Sequence, residues 1–304
     1  MLPEKRNGLQ NTLIVATTLC LICSLVVSGS AVALKGLQDK NVQIDRKRNL
    51  LSVVGVEPDQ IKSAADVEEM FDQKFKAIII DMTTGKIAIG DSSDAVSKLT
   101  EDLKYASDAE TLKKYDQLKE SKRKIDETSI KLGKKDDIAG IKRRENFSHV
   151  YMALDESGNV DKYVFPVRGY GLWSMVQGYL AIENDLQTVA GVTFYDQKET
   201  PGLGGECVKP KFRDPWQGKK IYTDPSDPTK TRNVGLRVVK GMGTGDYQLD
   251  GMTGATITSN GISNMVQYWM GPEGFGPYIK NVKNGSTEPD KTDAPTAKLE
   301  GEKQ

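Results

Sequence analysis

Residues 7–34 contain no charged side chain, and residues 12–34 are predominantly apolar. At about 1.5 Å per residue, a helix over residues 12–34 reaches across a hydrocarbon core of roughly 30 Å. The segment is therefore a membrane anchor or an export signal. Lys5 and Arg6 supply a basic flank, and Ala31-Val32-Ala33 offers small residues of the kind found at signal cleavage sites. The run is longer than a usual signal core, which favours a retained anchor, preceded by a short segment over residues 1–11. Lys35, Lys40, Arg46, Lys47 and Arg48 crowd the far flank. By charge count alone the following domain would lie in the cytoplasm, although large domains cross membranes despite such a bias.

The remainder is long enough to bury a core, since the 304-residue chain is 38% hydrophobic. Lys plus Arg and Asp plus Glu both number 42, so no net field attracts a polyanion and a nucleic-acid partner is not expected. With His149 the only histidine, a His-rich metal site and bis-His haem ligation are excluded, and no metal site is expected. His149 reads as a structural residue at a strand start. Cys20 and Cys23 lie inside the apolar run, where small, weakly polar residues are ordinary, and Cys207 stands alone. No disulfide framework follows.

Ile61, Ala64, Met70, Phe71 and Phe75 approximate one helical face, and residues 77–82 then read as a buried strand ending in a turn at Thr83-Thr84-Gly85-Lys86. Residues 91–145 are dense in Lys, Asp and Glu and poor in aromatics, which predicts a solvated helical layer. From Phe147 the pattern changes to short runs punctuated by turns. Residues 150–154 and 163–167 flank Asp155-Glu156-Ser157-Gly158-Asn159 as a hairpin, and residues 174–182 and 189–195 are two further strands. The fold class is thus α+β: an N-terminal transmembrane helix, then a soluble domain with an antiparallel sheet flanked by helices. Beyond Asn281 little can be buried, and the tail over residues 284–304 is expected to be disordered.

The chemistry concentrates in Asp250-Gly251-Met252-Thr253-Gly254-Ala255-Thr256-Ile257-Thr258-Ser259-Asn260-Gly261. Ile262, Met265, Val266, Trp269 and Met270 follow at helical spacing, and Gly271-Pro272 ends the helix. Small, hydroxyl-bearing residues therefore sit at a helix N-terminus, where free N–H groups and the positive dipole end favour an anion such as phosphate. Thr258, Ser259 or Asn260 would serve as the cap. A cap needs one such residue, however, and Thr253, Thr256 and Thr258 alternate with glycine and alanine across the whole approach. A phosphate-binding turn near Thr256 accounts for more of the pattern; spacing does not distinguish a covalent from a non-covalent ligand.

Asp250-Gly251-Met252-Thr253-Gly254-Ala255-Thr256 resembles the flavinylation motif of the FMN-binding domains in the C subunit of sodium-translocating NADH:quinone oxidoreductases. The resemblance implies FMN joined to Thr256 as a phosphodiester, with Asp250 the leading acid and Thr253, Gly254 and Ala255 lining the approach. Glu199-Thr200-Pro201-Gly202-Leu203-Gly204-Gly205-Glu206 is similar to the loop that lies against the isoalloxazine ring in this family. Glycine there permits close approach, while Glu199, Thr200 and loop amides near Leu203 and Gly204 can hydrogen-bond the ring's polar atoms. Tyr170-Gly171-Leu172-Trp173 matches as well, with Leu172 and Trp173 placed to cover the ring's apolar edge or to pack in the core. Gly241-Met242-Gly243-Thr244-Gly245 lacks a full dinucleotide fingerprint and reads as a turn.

The likeness extends through Asp137-Ile138-Ala139-Gly140-Ile141-Lys142-Arg143-Arg144 to Gly271-Pro272-Glu273-Gly274-Phe275-Gly276-Pro277-Tyr278. It implies residues 35–146 as the first part of a periplasmic domain and residues 147–283 as the FMN-binding domain. It also implies an electron-relay subunit in the bacterial inner membrane, with five other subunits as partners and a flavin transferase for maturation. No catalytic side chain of its own is expected. The flavinylated subunit of Rnf-type ferredoxin:NAD oxidoreductases shares the threonine and glycine-loop motifs, and a free-standing exported flavin module or an anchored scaffold are the other readings. The flanking stretches favour the sodium-translocating family.

Overall fold

The computed structural model describes residues 5–90, 115–124 and 128–286. Residues 1–48 form one unit and residues 49–304 a second. The first is occupied by helix α1 (Lys5–Val53), which continues beyond the expected span into the charged segment. Lys, Arg and Gln are good helix formers, so nothing stops the helix where the apolar run ends. Among the described residues α1 alone is long and apolar enough to cross a membrane.

The second unit takes in the last residues of α1 and continues to α2 (Ala64–Lys74), started by a capping box in which Ser63 Oγ accepts the Asp66 amide and Asp66 accepts that of Ser63. The chain runs directly into β1 (Phe75–Asp81), so Phe75, read as part of the helical face, starts the strand and is buried there. Asp81 accepts the Thr83 and Thr84 amides, and Gly85 (φ 69°) turns the chain into β2 (Ile87–Gly90).

Within the charged region, residues 91–114 and 125–127 lie outside the described residues. The rest corrects the helical-layer expectation: only α3 (Gln117–Lys122) is helical, while β3 (Ser129–Lys131) and β4 (Arg143–Glu145) pair antiparallel. Arg143 Nε donates to Ser129 Oγ across that pair (3.0 Å). Arg144 donates to the Glu273 carbonyl and Glu145 accepts from Arg168, so charged residues here find partners far along the chain, a long-range effect that composition does not carry.

The predicted hairpin and the two further strands form as β5 (Phe147–Leu154), β6 (Val160–Tyr170), β7 (Met175–Glu183) and β8 (Val189–Asp196). With β1 and β2 they make one antiparallel sheet in the order β2-β1-β5-β6-β7-β8. Residues on both sides of position 147 thus share a single sheet. Short α4 (Pro210–Arg213) follows, then β9 (Arg237–Val239) and β10 (Gln248–Asp250), which pair parallel. The chain ends its described part with α5 (Thr256–Trp269) and α6 (Gly276–Lys283). Of the expected disordered tail, residues 287–304 lie outside the described residues.

Alternation decides the layers. Phe165 and Val167 of β6, Val176, Leu180 and Ile182 of β7, and Val192 and Phe194 of β8 join one core with Ile262, Met265, Val266 and Trp269 of α5. The predicted apolar stripe of α5 is therefore the face that meets the sheet. The approach is close: a Cβ on Gly261 would meet the Tyr170 carbonyl oxygen at 2.3 Å, so α5 lies against the end of β6 only because residue 261 is glycine. His149, expected to be structural, stacks on Tyr151, and its Nε2 is 3.1 Å from the Tyr115 carbonyl oxygen.

Candidate functional site

The site is built on the N-terminus of α5. Ala255 occupies the cap position and has no side chain with which to cap. Ser259 N donates to Ala255 O (2.9 Å), the first bond of the helical ladder. The amides of Thr256, Ile257 and Thr258 precede that bond, so the helix provides no acceptor for them, and they sit at the positive end of its dipole. Thr256 is the first helical residue and is exposed.

This start corrects the capping expectation, because Thr258, Ser259 and Asn260 all lie within the helix. Thr258 and Ser259 are buried and turned to other work. The Ser259 hydroxyl accepts the Met252 amide at 3.1 Å, and the Ala255 amide donates to Met252 O at 3.0 Å. Gly254 (φ 75°) supplies the left-handed residue of this turn. Asp250 anchors it from the other side: Asp250 Oδ1 accepts the Gly243 amide (2.8 Å), and the Gly251 amide donates to Gly241 O (2.9 Å). The 241–245 segment is the turn expected of it, and it holds the approach to Thr256 in place.

Glu199 joins this helix to two loops. Its carboxylate is buried, and Oε1 accepts the amides of Trp173 and Ser174, both at 2.9 Å, and the Ser174 hydroxyl at 3.3 Å. Oε2 accepts the Leu172 amide at 3.1 Å and the Thr258 hydroxyl at 2.8 Å. Burial pushes its pKa up, but the Thr258 hydroxyl and the three amides outweigh burial and hold it below the ordinary glutamate value. The expectation that Glu199 reaches a ligand directly is therefore modified: its oxygens are committed to the protein. Gly204 and Gly171 are small for the same reason, since a Cβ on Gly204 would meet Thr258 Oγ1 at 2.5 Å and one on Gly171 would meet Glu199 Oε1 at 2.7 Å.

The segments that Glu199 and Leu203 join to the start of α5 expose apolar side chains. Trp173 is 66% exposed, Ile257 57%, Leu172 42% and Leu203 41%. Leu203 reaches the Thr256 turn, its Cδ2 lying 2.8 Å from the place a Gly254 Cβ would take. Of the two readings for Leu172 and Trp173, exposure decides against core packing. A flat, partly apolar ligand would remove this surface from water. Thr200 and Thr253 are exposed, and Thr200 contributes through its carbonyl, which accepts the Leu203 and Gly205 amides. Ile257 was not singled out by its pattern, yet it lies off the buried stripe of α5, and that is the signal by which an exposed apolar residue is found.

Residues 171–271, which span Gly171, Glu199, Leu203 and the whole Thr256 turn, match the family model of the FMN-binding domain. The C subunit of the Na(+)-translocating NADH-quinone reductase from Yersinia pestis is 36% identical over 287 residues, covering 93% of this chain and 97% of that protein. Its Pseudomonas aeruginosa counterpart is 37% identical over 280 residues, covering 90% of this chain and 96% of its own. The crystal structure of Shewanella oneidensis NqrC superposes with a TM-score of 0.64 at 30% identity, covering 79% of this chain and 97% of that one. At this level of identity and with near-complete coverage of these relatives, the chain belongs to the NqrC family, the C subunit of Na(+)-translocating NADH-quinone reductases.

Proposed function

We propose that this chain carries FMN through a phosphodiester on Thr256 and works as an electron-relay subunit between NADH and quinone in a sodium-pumping membrane complex. One observation carries the reading: the Thr256 hydroxyl is exposed at the first residue of a helix whose leading amides no side chain caps. Such a position suits a phosphate covalently and electrostatically at once.

The residues fit the group. The amides of Ile257 and Thr258 would hold the phosphate, and Leu172, Trp173, Leu203 and Ile257 would shield the apolar part of the ring from water. Bound FMN supplies reversible electron transfer in steps of one or two. The protein's part is to hold and orient, and Glu199 does this by fastening the 172–174 loop to the first turn of α5. The segment that superficially resembles a dinucleotide loop is engaged with Asp250 and Gly251 instead, so we infer that the chain alone does not oxidise NADH.

In this reading α1 is a single-pass anchor in the bacterial inner membrane. Residues 1–11 are cytoplasmic and the soluble unit is periplasmic, in contact with the five other subunits after a flavin transferase has acted. Thr256→Val in the assembled complex is expected to stop quinone reduction while NADH oxidation by an artificial acceptor persists. Loss of both activities, or NADH oxidation by the purified chain, would contradict the relay role.

A further inference from the structure

Two carboxylates are buried among the described residues, Glu145 and Glu199, and they are treated differently. Glu145 is held by Arg168, whose Nη1 donates to Oε1 at 2.9 Å and whose Nη2 donates to Oε2. Glu199 receives only neutral donors, from Leu172, Trp173, Ser174 and Thr258, and forms no ion pair among the described residues. Hydrogen-bond dipoles stabilise such a charge without cancelling it. A full negative charge therefore lies beneath Leu172 and Trp173 and touches α5 two positions beyond Thr256.

We propose that Glu199 is a positioning residue that also sets the redox poise of the site, its uncompensated carboxylate holding the flavin's midpoint potential below the value that a neutral side chain would give. The inference rests on the reading that FMN occupies this site. Electron uptake without a proton adds one negative charge to the ring, and a buried carboxylate opposes that charge in surroundings that screen weakly. Burial and the neutral donors balance in favour of the ionised form, since the pKa is held low. The arrangement thus joins two duties in one side chain: it fixes the loop geometry and makes the flavin a more willing donor.

The test is a spectroelectrochemical titration of the full-length flavinylated chain in detergent, after intact-mass measurement of flavin occupancy. Glu199→Gln keeps the shape and removes the charge, so the midpoint should move positive. Thr258→Val keeps the charge and removes one compensating dipole, so the midpoint should move negative. Loosening of the loop alone would not give opposite signs. Both shifts should persist at about 1 M salt, where exposed charges beyond about 3 Å are screened. Should Glu199→Gln fail to fold, a negative Thr258→Val shift that persists at about 1 M salt supports the role, and a positive, absent or salt-abolished shift overturns it. A wild-type chain without flavin would overturn the proposed function. A loaded wild type with unchanged midpoints, shifts of one sign, or shifts abolished by salt would overturn the role of Glu199 alone.

Discussion

The Ser259 hydroxyl accepts the backbone amide of Met252 over 3.1 Å, and so closes the loop that carries Thr256 onto the helix it enters. A helix residue thereby organises the turn in front of it, although its chemistry suits it to a cap. Ser259→Ala leaves the Met252 amide without this acceptor, and the expected cost is about 1–2 kcal/mol. Thermal unfolding followed by circular dichroism should show a melting temperature lower by about 2–8 °C. The attachment residue should remain Thr256, and an unchanged melting temperature would show the bond to be idle.

Arg168 and Glu145 form a buried pair, with the Arg168 guanidinium 4.9 Å from the centre of the Trp269 ring and the Trp269 indole N–H donating to the Arg168 carbonyl at 2.6 Å. Arg168→Met strands the Glu145 carboxylate in the interior, and the expected loss is about 3–5 kcal/mol. Removing both charges with Arg168→Met and Glu145→Met should recover much of it, because the desolvation penalty goes with the second charge. Urea denaturation of the single and the double variant measures this. A double variant less stable than Arg168→Met would refute the account of the pair.

The sheet and the helix that bears the site are legible in the sequence because both declare themselves locally. Asp155-Glu156-Ser157-Gly158-Asn159 makes the turn between β5 and β6, with Asp155 accepting the Ser157 and Asn159 amides, and the i, i+3, i+4 stripe from Ile262 to Trp269 is the buried face of α5. What local pattern omits is the destination of polar side chains. Leu172 and Thr258 stand 27 and 59 positions from Glu199, so nothing in the glycine-rich loop announces that its acid is buried and fully engaged. Capping preference likewise points to a hydroxyl, whereas Ala255 takes that position because Thr258 and Ser259 are drawn inward by Glu199 and Met252. The helix boundary is set by tertiary partners, and tertiary partners override propensity.

Cys207 is buried behind the same loop, and burial first, then the negative charge of Glu199, pushes its pKa up to about 12. The unfolded thiol titrates near about 8.5. Its contribution to stability is therefore complete below that value and is lost as pH rises from about 8.5 towards the folded value. At about pH 8.5 iodoacetamide should leave native Cys207 unmodified and label it after denaturation. Mass spectrometry of the Cys207 peptide reads the difference, and equal labelling in both states would contradict the burial.

The account turns on Thr256, and peptide mass spectrometry of the chain co-expressed with a flavin transferase tests it most directly. The predicted result is an FMN phosphodiester mass on the peptide containing Thr256, localised to that residue by fragmentation and absent from Thr256→Val. An adduct on Thr253, Thr258 or Ser259, or a wild-type chain that stays unmodified while the transferase is active on another substrate, would contradict it.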